Sequence, residues 1–460
     1  MQAILLIDFG STFTKVTAVD IEAGQLIDTA SSYTTVETDV GEGLEFALAK
    51  LKKQTGLENF QKRLACSSAA GGLRMVASGL VPALTAEAAK VASLGAGAKV
   101  MKVYSYQLID EDIEEIANIK PDIFLLTGGT DGGNQDCILH NAGMLVDCKA
   151  DFPILLAGNR SCAAECEKIL SKREVYRCEN VLPQLEKLNI EPVQRHIRDL
   201  FLRQIINAKG LSREAELISG IMMPTPAAVL QAMELLAKGT DSRPGLGELF
   251  AVDLGGATTD VYSMASGAPT LENTVIKGLP EPWAKRTVEG DIGMRYSAAG
   301  ISTAVGLERL SQLSGLKPQK IVEMIKHTEQ NPDTMPNTPE QSALDFALAA
   351  AAVETASARH AGIIEETYTP LGQTWLQSGK DLTKVKTLIA TGGALIHNRD
   401  VSKIVTHALY NESVPESLRP KSSRILIDRQ YILSAMGLLS IEYPDVALSI
   451  MKKELEDVSI

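Results

Sequence analysis

The sequence predicts an α/β fold in which one structural unit is used twice. Three observations carry that prediction. Short apolar runs alternate with helical patterns along most of the chain. The segment Ile7–Val16 recurs as Val252–Val261 without a gap, at a constant offset of 245 residues. In both copies an Asp-x-Gly ends an apolar strand and leads into an alternating one.

The elements follow in order. Ala3–Ile7 is an unbroken apolar run, the pattern of a strand buried on both faces. Leu44–Gln54 has helical spacing. Lys99–Tyr104 and Asp122–Thr127 read as strands on either side of Asp110–Ile119, a helix with an acidic first turn. Pro153–Ala157 is a short strand, and Ala163–Ser171, Glu191–Asn207 and Ala227–Lys238 are helices. Lys238–Gly247, rich in Gly and charge, reads as a lobe junction. Leu249–Asp253 opens the second copy. Gly293–Gln312, Pro318–Glu329 and Ser342–Ile363 read as helices, separated by the Pro- and Asn-rich stretch Gln330–Gln341. Lys386–Thr391 and Arg424–Asp428 complete the strands.

Composition bounds the function. At about 150 residues per domain, 460 residues suggest roughly three structural units. Hydrophobic residues make up 45%, which excludes a disordered chain. With 45 Lys plus Arg against 57 Asp plus Glu, the net charge of −12 argues against nucleic acid or an anionic membrane as partner. No window reaches the roughly 20 uncharged apolar residues of a membrane span. The Ala-rich stretch near residues 343–361 carries Asp345, Glu354, Arg359 and His360 and reads as a buried helix. The opening Met1–Asp8 has no basic region, so a cytoplasmic protein is expected. The six cysteines form no CxxC pair, and Cys162 and Cys166, one helical turn apart, are too few for a metal site; reduced thiols are expected.

The paired turns carry the chemistry. An Asp at the end of a buried strand points its carboxylate into a crevice, and the Gly two residues on lets the backbone approach a ligand. Successive N–H groups in such a turn form an anion-binding concavity, to which Ser and Thr hydroxyls add donors. Mg²⁺ takes one or two carboxylates together with phosphate oxygens and water, so Asp8 and Asp253 suit a metal-bound triphosphate. Lys15 suits a phosphate as a point charge. Either copy alone reads as an ordinary hairpin turn; two gap-free copies at strand ends point to a ligand. A third turn, Thr391-Gly392-Gly393-Ala394, offers side-chain-free backbone to a ring or ribose. Leu126-Thr127-Gly128-Gly129-Thr130 shows that such turns are common.

Together these three segments resemble the phosphate, phosphate and adenosine motifs of the actin-like ATPase superfamily, which includes actin, sugar kinases and DnaK-type chaperones. Met223–Val229 resembles its lobe-crossing helix, and Glu289–Arg295 its Gly-Asp segment opening an adenosine-side helix. The resemblance implies two lobes of similar, ribonuclease H-like fold, with ATP and Mg²⁺ in the cleft. It implies Asp8 and Asp253 as metal-side and catalytic carboxylates with Lys15. Phosphate contacts would come from Gly10, Ser11, Thr12 and Thr14, and from Gly255, Gly256, Ala257, Thr258 and Thr259. Gly392, Gly393 and Ala394 would lie beside the adenosine. One departure matters: DnaK-type chaperones carry a Glu where this chain has Met223, so hydrolysis is expected to be slow or to use another acid. Asp260 is a candidate base, although a turn cap is the more ordinary role. Asp291 is expected to cap the helix starting near Gly293. His196 is expected on a solvated face, and Trp283 as a packing anchor.

At closer range, Leu6–Lys15 and Cys66–Leu73 resemble the MutL accessory proteins, encoded beside adenosylcobalamin-dependent glutamate mutases and related aminomutases. The resemblance implies an ATP-dependent reactivating chaperone that promotes exchange of damaged cofactor, with the mutase as partner; a homodimer is left open. It divides the chain into a first-lobe core (1–80), an α/β insertion (81–210), a crossing helix and junction (211–247), and a second-lobe core (248–460) whose C-terminal helix returns to the first lobe. Within the insertion, Gly97–Gly133 resembles part of a cobalamin-binding domain, but His140 lacks the Asp-x-His-x-x-Gly pattern of a cobalt ligand. The insertion is therefore read either as a mimic of the mutase's cobalamin subunit or as an ordinary doubly wound unit. Alternative functions are a small-molecule kinase, an iron–sulfur activator, a filament former and a non-hydrolysing nucleotide sensor.

Overall fold

The computed structural model describes residues 2–10, 12–34, 40–68, 73–208, 221–370 and 372–459. Ser11 and residues 69–72 of the Cys66–Leu73 block lie outside the described residues. The chain forms two compact units: Met1–Ala232 with Gly278–Pro280 and Leu433–Ile450, and Met233–Lys277 with Glu281–Ile432 and Met451–Ile460.

The first unit opens with antiparallel strands β1 (Ala3–Phe9), β2 (Phe13–Asp20) and β3 (Gln25–Tyr33), then α1 (Val40–Thr55) and β4 (Lys62–Ser67). Every residue of β1 is buried, as its unbroken apolar run requires. A second sheet follows, built from β5 (Arg74–Gly79), α2 (Glu87–Gly95), β6 (Lys99–Ser105), α3 (Asp110–Ile119), β7 (Ile123–Leu126), α4 (Asp136–Val146), β8 (Ile154–Leu156), α5 (Ala163–Ile169), β9 (Val175–Arg177) and α6 (Ile190–Ala208). All its pairings are parallel, and its order is β6-β5-β7-β8-β9, a doubly wound arrangement with apolar clusters on both faces. β10 (Ile221–Pro224) then rejoins the first sheet, giving β10-β4-β1-β2-β3, and α7 (Thr225–Lys238) begins directly from it.

The second unit repeats the pattern. β11 (Leu249–Leu254) and β12 (Thr259–Met264) form the second hairpin; β13 (Thr274–Lys277) and β14 (Ala284–Glu289) follow. Next come α8 (Ala298–Val305), α9 (Leu307–Ser314), α10 (Pro318–Gln330) and α11 (Pro339–His360). β15 (Ile363–Thr369) and β16 (Gly372–Ser378) make a small sheet with β13, and β17 (Thr387–Thr391), α12 (Gly393–Ile396), α13 (Val401–Val405) and β18 (Arg424–Ile427) complete the core. α14 (Leu433–Leu439) and most of α15 (Pro444–Glu454) belong to the first unit, while β19 (Glu456–Asp457) edges the second. The main sheet runs β14-β12-β11-β17-β18-β19. Both units thus share one order: three antiparallel strands, then two parallel ones. This is the duplicated core that the actin-like resemblance implies. The Ala-rich α11 packs into the second core through Leu344, Leu348, Val353 and its alanines.

Three sequence expectations need correction. The helix expected over Gly293–Gln312 starts only at Ala298 and breaks at Gly306, whose φ is +80°. Its first residues are held elsewhere: the Met294 N–H donates to Gly255 O, and those of Arg295 and Tyr296 donate to Gly256 O. Asp291 therefore caps no helix; its carbonyl lies against Gly300 of α8, where a Cβ would come within 1.7 Å. The helix expected over Ser342–Ile363 starts at Pro339, after a Thr338–Gln341 capping box, and stops at His360, leaving Ile363 to β15. Among the described residues no helix is long and apolar enough to cross a membrane.

Candidate functional site

The two Asp-x-Gly turns are one structure made twice. In the first, the Gly10 N–H donates to Phe13 O at 3.1 Å; in the second, the Gly255 N–H donates to Thr258 O at 3.0 Å. Each bond joins positions 245 residues apart in the other copy. Register repeats too: Asp8 pairs with Lys15 across β1–β2, and Asp253 with Asp260 across β11–β12. A Cβ on Gly10 would sit 2.6 Å from Phe13 O, so this turn closes only with glycine.

In the first unit Asp8 is buried at the end of β1. Its Oδ1 accepts from the Thr225 hydroxyl at 2.6 Å and from the Cys66 thiol at 3.6 Å. Its Oδ2 accepts from the Ser434 hydroxyl at 2.9 Å. Burial, and then the Asp8 charge, push the Cys66 thiol well above its ordinary range, so it stays a protonated donor. Lys15 and Thr12 are partly buried beside the turn. Thr14 is fully buried, and its hydroxyl meets that of Thr34 at 3.1 Å, while Thr34 also donates to Gly10 O at 2.8 Å. Met223 is buried next to Cys66 on β10.

In the second unit Asp253 ends β11 opposite Thr391 of β17. Gly392, with φ +96°, starts α12 directly against it. Gly256, Ala257 and Thr258 are partly buried, and the Thr259 hydroxyl donates to Ile292 O at 2.8 Å. Gly393 faces open space and Ala394 is partly buried. Thr391 donates to Asp428 Oδ2 at 3.3 Å. Asp260 accepts from the Thr258 hydroxyl across the turn through Oδ2 at 3.4 Å, so it holds the turn as well as an ion pair. It is ion-paired with the buried Arg286, whose Nη2 lies 2.6 Å and Nε 2.7 Å from its Oδ1.

Oxygen donors dominate both strand ends, which fits Mg²⁺. Among the described residues no three His, Cys, Asp or Glu side chains converge as a metal cage. Other residues resolve simply. The six cysteines are unpaired, and burial raises the Cys166 thiol to about 12. His140 binds Leu108 O at 2.9 Å and His196 binds Pro192 O at 2.9 Å, both through ring nitrogens. Trp283 is partly buried, with the Lys238 ammonium 4.6 Å from its ring centre. Sequence reasoning missed Ser434 and Arg286, neither of which sits in a motif.

The family model for MutL protein matches residues 4–455. Protein MutL of Clostridium tetanomorphum is 48% identical over 462 residues, covering all of both chains. Among solved structures, diol dehydratase-reactivating factor in its nucleotide-free form is 12% identical, covering 96% of this chain and 100% of that one, with a TM-score of 0.36. A xylulose kinase from Lactobacillus acidophilus is 11% identical over 99% of this chain and 93% of that one, at 0.35.

Proposed function

The chain belongs to the MutL protein family, and from that premise we propose that it is an ATP- and Mg²⁺-dependent reactivating chaperone. Its client would be an adenosylcobalamin-dependent glutamate mutase or a related aminomutase. The observation that carries this reading is the duplicated turn, with the same backbone bond at Gly10 and Gly255 and an Asp in the same register.

Each turn is a phosphate subsite: backbone N–H groups and the Thr12 and Thr258 hydroxyls donate, and Lys15 supplies charge. Ser11 would add a hydroxyl to the first. Asp8 and Asp253 are each suited to the water shell of a nucleotide-bound Mg²⁺, which would neutralise phosphate charge. Gly392 and Gly393 give the base side a backbone surface. With Met223 where a carboxylate stands in DnaK-type chaperones, and Asp260 committed to Arg286, turnover is slow. Nucleotide then acts by population: ATP-bound and ADP-bound forms bind the client with different affinity, and the difference drives release of damaged cofactor. The insertion, built on the doubly wound sheet, is the client-facing part.

Titration calorimetry with Mg-ATP, followed by complex formation with the mutase under ATP and under ADP, tests the reading. Micromolar Mg-ATP binding and a nucleotide-dependent change in mutase affinity are expected. Equal mutase affinity under both nucleotides removes the chaperone role and leaves a nucleotide sensor.

A further inference from the structure

Two helices converge on Asp8 through hydroxyl donors. Thr225 is the first residue of α7, and Ser434 lies in the first turn of α14, far away in sequence. They bond different oxygens of the same carboxylate, Thr225 to Oδ1 at 2.6 Å and Ser434 to Oδ2 at 2.9 Å. The two helices are also fixed to each other. A Cβ on Gly437 of α14 would come within 1.9 Å of Ala228 O of α7, so the helices cross backbone to backbone. Gln231 Nε2 then donates to Ser440 Oγ at 3.1 Å beyond the crossing. One helix cannot shift without moving the other, and neither can shift without disturbing Asp8.

We infer that Thr225 and Ser434 are positioning residues that lock the Asp8 carboxylate in the orientation needed to receive the metal's water shell. The inference rests on the nucleotide reading above. A carboxylate rotating freely about its terminal torsion presents its lone pairs in many directions. With one hydroxyl on each oxygen, Asp8 keeps one orientation, and Oδ2, which accepts only from Ser434 among the bonds given above, retains acceptor capacity for a water on Mg²⁺. Cys66 adds only a weak thiol donor to Oδ1.

The test measures ATP affinity of the full-length chain with saturating Mg²⁺ and again with EDTA. The variants are Thr225→Val, Thr225→Ser and Ser434→Ala, each checked for an unchanged thermal unfolding transition. Thr225→Val and Ser434→Ala are expected to weaken Mg-ATP binding by about tenfold, as for loss of one hydrogen bond to a charged group, and to leave metal-free affinity within about twofold. Thr225→Ser, which keeps the hydroxyl, restores the wild-type Mg²⁺ effect. If Thr225→Val does not fold, Ser434→Ala carries the test. Unchanged Mg-ATP affinity in the folded variants overturns the inference, as does an equal loss with and without metal. Failure of the wild-type chain to bind ATP at all overturns the underlying nucleotide reading, and this inference with it.

Discussion

Gly392 and Asp253 touch so closely that a Cβ on Gly392 would lie 2.6 Å from Asp253 Oδ1 and 2.4 Å from Leu254 O. The third glycine-rich turn is thus packed directly on the second strand-end aspartate within one unit. Gly392 also holds a φ of +96°, which side chains rarely adopt. Gly392→Ala is expected to destabilise the protein by about 1–3 kcal/mol in chemical denaturation and to weaken nucleotide binding by displacing Asp253. Its neighbour Gly393 meets nothing within 4 Å, so Gly393→Ala is expected to leave stability nearly unchanged.

The Asp260–Arg286 pair gives a second prediction. Arg286 is almost fully buried and bonds Asp260 through two nitrogens. Arg286→Met strands a carboxylate in the core and is expected to cost about 3–5 kcal/mol. Adding Asp260→Asn removes the stranded charge and is expected to recover at least half of that loss. A double-mutant cycle by urea denaturation measures the coupling.

Acid stability follows from His360 and Glu354. His360 is fully buried, with Nε2 on Ser263 Oγ at 2.8 Å and Nδ1 on Thr287 Oγ1 at 2.7 Å. Burial first, and then Lys285 and Lys380, hold its pKa well below 6.5. The unfolded chain therefore takes up a proton that the folded one refuses, and stability falls as pH drops below about 6.5. Glu354 is held at about 2 by its bonds to His407 and Arg309, so its stabilisation is full above its ordinary 4.5 and disappears between there and 2. Lys380 is lowered to about 7, chiefly by burial, so it adds stability as pH rises from 7 toward 10.5. His360→Gln is expected to flatten the melting temperature between pH 5 and 6.5 while the lower-pH loss persists, as read by calorimetry.

Much of the core was legible because its signals are local. β1 and β11 are continuous apolar runs, and their hairpins repeat residue for residue. The small sheet of β13, β15 and β16 was not legible: its strands are largely exposed and mix Glu, Thr and Gln with apolar residues, so neither alternation nor an apolar run marks them. The helix expected from Gly293 failed because the carbonyls of Gly255 and Gly256, distant in sequence, capture its first N–H groups. The aspartates of the candidate site stood out through repetition. Their supports did not: Ser434 is a lone Ser in an apolar helix, and its bond to Asp8 spans 426 residues. Spatial convergence of that kind leaves no periodic trace.

Under the proposed reactivating role, nucleotide use by this chain would restore a cobalamin-dependent mutase. The most direct measurement is the activity of glutamate mutase inactivated with damaged cobalamin, after adding this protein, free adenosylcobalamin, Mg²⁺ and ATP. Recovery that requires ATP, and that is lost in Asp8→Ala and Asp253→Ala, is the predicted result. No recovery while the protein still binds Mg-ATP would overturn the reactivating role.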